Sequence, residues 1–351
     1  MYTKHINNIK FKKKDTAYNY GILSNIIDNF NFFNKKNNDN TYIINNTTIK
    51  KIIVIGDIHG DYECLLKTLK LGNIIDKNIK YTDHIKDVNW IDNKNCVVIQ
   101  IGDLIDMKCR YNTHKSVEKG DNLRIFKLLY KLQIQAKEHK SIFICLLGNH
   151  EIDNVMGNFK YTSENEFLEF YNEYSNKYKD GYIARKILFS RGNLIAKHLS
   201  YNFMAIVVVN NWLFVHAGIN IDIIQKYTIA EMNTIFKNWL KTTTENTEYD
   251  NDITILYKSK NSLLKNRYLA YLKDNTKNLN YFTLLLDEIN KKNNIKLNGI
   301  IIGHTPQEKG ITNCFKNKLW KIDIGMSQAF TDSNNNIHVL QINKDNTFTI
   351  L

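Results

Sequence analysis

Apolar residues gather in short runs along this chain, and run after run breaks off at a small residue beside Asp, Asn or His. The layout recurs in KIIVIGDIHGD from Lys51, CVVIQIGDLID from Cys96, SIFICLLGNHE from Ser141, NWLFVHAGI from Asn211 and LNGIIIGHT from Leu297. Runs this short, rich in Val and Ile and bounded by glycine, predict buried strands rather than helices. Beyond the first of them, leucines at helical spacing in YECLLKTLKLG predict a helix. MAIVVVN and LWKIDIG predict two more strands, and NNIHVLQIN a final one. Strands alternating with helical stretches predict an α/β sandwich of two mixed β-sheets flanked by helices. Ligands of such sheets bind beyond the carboxyl ends of the strands, so the polar clusters are expected to meet on one rim.

Two stretches break this pattern. Residues 1–48 are polar and Asn-rich, with Tyr18, Tyr20, Phe30, Phe32 and Phe33 spread through them, and are expected to form an extension ahead of one domain at 49–351. Between about residues 220 and 297 the sequence turns helical and polar, with AEMNTIFKNWLK and NYFTLLLDEINKK as its amphipathic pieces and TTTENTEYDNDIT as an expected exposed loop. This stretch is expected to be a helical insertion near the site, not a second domain.

With 43% hydrophobic and 24% charged residues over 351 positions, the chain has enough apolar material for a substantial core. A formal net charge of +13 favours anionic partners: phosphoproteins, nucleotides, nucleic acid or acidic membrane surfaces. The lysines are scattered instead of blocked, which fits a solvated surface better than a nucleic-acid stripe. The cysteines, Cys64, Cys96, Cys109, Cys145 and Cys314, form no CxxC pair and no secreted disulfide pattern, so a reducing compartment is expected. Without a signal-like apolar segment or a run near the roughly 20 residues a membrane helix needs, a soluble cytoplasmic protein with no transmembrane segment is expected.

The chemistry lies in the strand-end clusters. Asp57 and His59, two residues apart on a turn, can point at one cation, and Asp103, Asn149, His216 and His304 follow in order, each after its own strand. A mixed carboxylate, amide and imidazole set suits Mn, Fe, Zn or Ni better than a thiolate site would. Asp103, arriving centrally, is the natural bridge between two divalent ions held roughly 3.5–4 Å apart, which can polarise a phosphoryl oxygen and activate water for in-line attack.

GDIHGDYECLL, GDLID, GNHE, FVHAG and GHT, in that order, resemble the metallophosphatase motifs of the calcineurin-like phosphoesterases of the phosphoprotein phosphatase superfamily. LLGNHEIDNVMGNFKYTS and GHTPQEKGITNCFKNKLWKIDIGMSQAF are similar to the bacterial-like Shewanella-like phosphatase branch. The resemblance implies Asp57, His59 and Asp103 at one metal, and Asp103, Asn149 and His216 at the second, with His304 on either side. It implies that His150 protonates the leaving oxygen and that Asp106 orients its imidazole. It also implies that Asn149 contacts the substrate phosphate.

One position departs from the family. The usual GDxxDRG reads GDLIDMKCR here, with Met107 at the phosphate-gripping arginine. Methionine cannot imitate a bidentate guanidinium, so either Arg110 replaces it or phosphate binding is weakened. SLLKNRYLAY aligns in order with a second phosphate-binding segment of the family and makes Arg267 a candidate; Arg185 and Arg191 are weaker ones that a surface salt bridge explains as readily. The expected activity is metal-dependent hydrolysis of phosphate monoesters, with phosphoproteins favoured, Ser/Thr against Tyr undecided, and manganese the favoured metal. The alternatives are a nucleotide-directed phosphoesterase, such as a dinucleoside polyphosphate hydrolase or a nuclease, and a non-catalytic phosphate-binding module.

Overall fold

The computed structural model describes residues 42–91, 94–110, 117–243, 248–330 and 336–351. Its strands are β1 (Ile43–Ile44), β2 (Lys51–Ile55), β3 (Cys96–Gln100), β4 (Ile142–Leu146), β5 (Phe203–Met204), β6 (Ile206–Val209), β7 (Trp212–Val215), β8 (Gly299–Ile302), β9 (Thr312–Cys314), β10 (Leu319–Lys321), β11 (Leu340–Asn343) and β12 (Phe348–Ile350). Among the described residues they form two six-stranded mixed sheets, ordered β12-β11-β2-β3-β4-β5 and β1-β6-β7-β8-β10-β9.

The register explains how distant segments of sequence meet. Parallel pairing aligns Ile55 with Gln100 and Gln100 with Cys145, so β2, β3 and β4 release their loops along one edge. In the other sheet, parallel β7 and β8 align Phe214 with Ile301 and release theirs at His216 and His304. Between the sheets lie Ile52, Val54, Val97, Ile99, Ile144 and Leu146 from one side and Val207, Val209, Phe214 and Ile301 from the other. Burying each such side chain stabilises the fold by roughly 1.5–3 kcal/mol before chain entropy is counted.

Helices cover the outer faces. Helix α1 (Tyr62–Leu71) starts at Asp61, whose carboxylate accepts the N–H of Cys64, and buries Leu65, Leu66 and Leu69. The covering layer continues with α2 (Asn122–Glu138), α3 (Asn149–Val155), α4 (Glu164–Tyr174), α5 (Gly181–Phe189) and α6 (Leu194–Asn202). Then come α7 (Ile221–Lys226), α8 (Ile229–Lys241), α9 (Glu248–Ile253), a π-turn at Thr254–Lys258, α10 (Tyr268–Tyr271) and α11 (Thr276–Asn293). Among the described residues no helix is long and apolar enough to cross a membrane.

Three details differ from the sequence reading. The expected exposed loop around TTTENTEYDNDIT contains helix α9, because Asp250 accepts hydrogen bonds from Arg191 Nη1 (3.1 Å) and Trp239 Nε1 (2.9 Å) and ties the segment to α8; residues 244–247 lie outside the described residues. The strand expected to be last, β11, turns back at Asn346, which adopts a φ of 62°, and pairs with β12. Most of the expected extension, residues 1–41, lies outside the described residues, whereas Ile43 and Ile44 pair in parallel with Val208 and Val209 as part of the second sheet.

Candidate metal centre

Each strand leading into the rim ends in a sharp turn, and several of the polar residues there adopt backbone conformations unusual for non-glycine residues. His59 (φ 46°), Asp103 (φ 53°), Asp106 (φ 75°) and His304 (φ 65°) all lie in the left-handed region. Such strain persists only where surrounding structure enforces it, and it clusters at functional sites. Here the loops brace one another: the N–H groups of Ile58 and His59 donate to the carbonyl of Asp103 at 3.0 and 2.9 Å. Close approach requires glycine beside them. A Cβ on Gly148 would lie 2.2 Å from Oδ1 of Asp103, and one on Gly303 2.5 Å from Oδ1 of Asp57.

Two groups of donor atoms meet at Asp103. His59, Asp103 and His150 form one, and Asp103, His216 and His304 the other, with ligand atoms in each within 4.8 Å of one another. Oδ2 of Asp103 stands 3.4 Å from Nε2 of His216 and 3.9 Å from Nε2 of both His59 and His150. His216 Nδ1 lies 2.9 Å from the Ile101 carbonyl, so its proton is held there and Nε2 is left with a lone pair. That lone pair also faces Oδ1 of Asn149 at 3.3 Å, while the Asn149 amide nitrogen donates to Asp153 at 3.5 Å. Asp57 is fixed differently: its carboxylate accepts the backbone N–H of His304, at 3.1 Å to Oδ2 and 3.4 Å to Oδ1.

This is a cluster of acceptors short of positive charge. Asp57, Asp103, Glu151 and Asp323 are all buried, and Oδ2 of Asp323 has no hydrogen-bond partner among the described residues. Burial, then the charges of Asp323 and Asp103, push the Asp57 carboxyl well above its usual range. Asp323 is likewise pushed up to about 6, by burial first, against the N–H of Gly325. Burial, then neighbouring imidazoles, hold His59 and His304 well below the usual histidine range, the neutral state that ligates metals. Converging imidazole and amide lone pairs around Asp103, which the imidazoles hold ionised against burial, and the mutually opposed carboxylates of Asp57 and Asp323 fit divalent cations at this rim.

Beside the cluster stands a histidine and aspartate pair. Nδ1 of His150 and Oδ2 of Asp106 are 2.8 Å apart, and the backbone N–H of His150 donates to Oδ1 of Asp103 at 2.9 Å. Burial lowers the affinity of His150 for a proton, but Asp103, then the hydrogen bond and charge of Asp106, push its pKa up to about 9. Cations on Asp103 would cancel that residue's share and leave Asp106's.

The arginines separate clearly. Met107 is fully buried, and its sulfur accepts the N–H of Lys119 at 3.3 Å, so it does not face the cluster. Arg110 does: its Nη2 lies 3.3 Å from Nδ1 of His59, and its guanidinium sits over the rings of Tyr161 (4.3 Å) and Phe330 (5.1 Å). Nη1 of Arg267 donates to Thr305 at 3.3 Å, next to His304. Arg191 pairs with Asp250, far along the chain from the motifs, as a surface salt bridge would. The same explanation fails for Arg185, which is 0% exposed and bonded to Asp106 at 3.0 Å.

Sequence reasoning passed over two glutamates that hold the Asp103–Met107 segment. Glu151 accepts the N–H groups of Asp103 (3.0 Å), Leu104 (2.8 Å) and Gly148 (2.8 Å), and burial and Asp103 together push its carboxyl up to about 7. Glu166 accepts those of Asp106 and Met107, both at 3.0 Å. Glu151 was visible as the last letter of GNHE, and Asp323 stands in the KIDIG run, which repeats the strand-then-glycine layout. Glu166 carries only a helix-capping signal, SENE.

A family model described as calcineurin-like phosphoesterase matches residues 50–308. The chain is 28% identical over 302 residues to Shewanella-like protein phosphatase 1 of Plasmodium berghei, covering 84% of this chain and 72% of that one. It is 28% identical over 247 residues to an uncharacterised protein of Acanthamoeba polyphaga mimivirus, covering 62% and 94%. In fold it is similar to a cold-active protein-tyrosine phosphatase of a psychrophilic Shewanella species, with a TM-score of 0.60 at 20% identity, over 89% of this chain and 82% of that one.

Proposed function

The chain belongs to the calcineurin-like phosphoesterase family and is a hydrolase of phosphoric esters, and from that premise we propose that it is a metal-dependent protein phosphatase cleaving phosphate monoesters of Ser/Thr or Tyr side chains. The observation that carries this reading is Asp103 standing between His59 and His216, its Oδ2 3.9 and 3.4 Å from their Nε2 atoms, with the Asn149 oxygen facing His216 beside it. Asp57, His59 and Asp103 would hold one divalent cation, and Asp103, Asn149, His216 and His304 the other, with manganese favoured among Mn, Fe, Zn and Ni. When bound, the pair supplies Lewis acidity and water poised to attack phosphorus.

The protein's own groups do the rest. A ligating His59 carries its proton on Nδ1, which removes the acceptor Arg110 uses and leaves its fork for a phosphoryl oxygen. Arg267 and the Asn149 amide supply further donors on the His304 side of the rim. His150 holds a proton on Nε2 for the departing oxygen, while Asp106 keeps the other ring proton on Nδ1 and balances the imidazolium charge.

The similarity to the Plasmodium phosphatase supports phosphoproteins over nucleotides as substrates. Turnover of phosphoserine, phosphothreonine and phosphotyrosine peptides, compared with a dinucleoside polyphosphate and single-stranded nucleic acid, tests this. Phosphopeptides are expected to be the better substrates. Faster cleavage of the nucleotides or nucleic acid would replace the proposal with the nucleotide-directed alternative.

A further inference from the structure

Helix α5 carries an arginine in an apolar setting. Its inward face is Ala184, Arg185, Leu188 and Phe189. The guanidinium carbon of Arg185 lies 5.0 Å from the ring centres of both Phe170 and Phe189. Its Nη2 donates to Oδ1 of Asp106 at 3.0 Å and its Nε to the Asn154 side-chain oxygen at 2.7 Å.

Asp106 is thereby saturated. Oδ1 also accepts from Thr162 Oγ1 at 2.8 Å, and Oδ2 accepts from Asn154 Nδ2 and meets His150 Nδ1, both at 2.8 Å. A carboxylate has about four lone-pair sites, and all are used, with Arg185 on one oxygen and His150 on the other. Asn154 takes Arg185 Nε on its oxygen and gives its amide proton to Asp106, which fixes the rotation of the carboxylate.

We propose that Arg185 is a positioning residue for His150: through Asp106 it holds the imidazole in the orientation and tautomer that present Nε2 to the leaving oxygen. The inference rests on the reading of His150 as the general acid. Arg185 also stabilises the fold, because Asp106 would otherwise be buried without its charge partner; the chain of contacts to His150 is what gives it a second role. Arg185 keeps Asp106 ionised and fixed in rotation, so the carboxylate stays a charge-assisted acceptor aimed at His150.

The test compares p-nitrophenyl phosphate with phenyl phosphate, whose leaving oxygen is more basic and depends more on protonation. Metal-loaded wild type, Arg185→Met, Arg185→Lys, His150→Asn and the Arg185→Met/His150→Asn double variant are assayed for kcat, KM and bound metal. Arg185→Met is expected to lower kcat for phenyl phosphate by about 10- to 100-fold, less than the roughly 10²–10⁴-fold a general acid itself contributes, and for p-nitrophenyl phosphate by only a few-fold, with KM and metal content unchanged. Arg185→Lys should fall between, and carries the comparison if Arg185→Met fails to fold. The double variant should be no worse than His150→Asn. Equal losses on both substrates, or an additive double variant, would overturn the role of Arg185. A His150→Asn variant without leaving-group selectivity would sink the general-acid reading itself, and the inference with it.

Discussion

Nε2 of His216 faces Oδ2 of Asp103 at 3.4 Å while the other nitrogen of its ring is committed to the carbonyl of Ile101. Lone pair against carboxylate is repulsive unless a proton or a cation stands between them. Without cations, burial disfavours the proton on His216 but the Asp103 charge favours it, and the net pKa is raised. Metal binding therefore competes with that proton for Nε2 and releases it.

Chelation is expected to lower the melting temperature, and added Mn²⁺ to restore it in proportion to the logarithm of its concentration, because only the folded state assembles the donors. Asp103→Asn removes a carboxylate that, against burial, the facing imidazoles hold well below the usual range, so the metal-free variant should melt below the metal-free wild type and gain little from Mn²⁺. Calorimetry with and without EDTA decides; an equal metal response in both proteins would contradict this role for Asp103.

Arg110 is expected to take over the grip that Met107 cannot provide. Removing a charge-assisted hydrogen bond costs about 1.5–3 kcal/mol, so Arg110→Ala should weaken binding of inorganic phosphate, a competitive inhibitor, by about 10- to 100-fold. Arg110→Lys should recover only part, since a point charge lacks the planar fork. Arg191→Met, which gives up contacts with Asp250 and the Trp239 ring, should bind phosphate as the wild type does. Inhibition constants measured side by side check this, and an Arg110→Ala value equal to wild type would leave the phosphate without that partner.

His198 gives the fold an acid-sensitive limb away from the metal centre. Its ring packs between Phe126 (5.6 Å) and Phe203 (5.9 Å), and burial lowers its pKa to about 4. The unfolded chain takes up this proton near pH 6.5, so below that pH the unfolded state binds more protons. The contribution is complete above about pH 6.5 and is lost as pH falls towards 4, on the order of 3 kcal/mol in all. His198→Phe should accordingly lose less stability than wild type between pH 7.5 and 5.0 in urea titrations. Identical losses would show that burial does not lower the His198 pKa in the fold.

Gly148 should tolerate no side chain. The methyl of Gly148→Ala would stand 2.2 Å from both the backbone nitrogen and Oδ1 of Asp103, and neither can retreat, because Glu151 holds that nitrogen and His150 that oxygen. Loss of bound metal, measured by mass spectrometry of the purified variant, is the expected result. Full occupancy would mean that the turn adjusts more freely than its hydrogen bonds suggest.

Much of this was legible in the sequence because one local signal served two purposes. The Val and Ile runs that mark β2, β3, β4, β7 and β8 end at the residues that gather at the rim, so finding the strand also finds Asp57, Asp103, Asn149, His216 and His304. Strands β1, β5, β9 and β12 carry no such signal: two or three residues long, they are defined by their partners across the sheet. Arg185 was misjudged for a related reason. ARKILFSR reads as an ordinary amphipathic helix, and only packing reveals which of its charges turns inwards to Asp106.

The most direct measurement is phosphate release from p-nitrophenyl phosphate by metal-stripped protein, with and without Mn²⁺, beside Asp103→Asn. Turnover that appears with the metal and falls by at least about 100-fold in the variant is the expected result. Undiminished turnover by Asp103→Asn would contradict the shared carboxylate at the centre of the site.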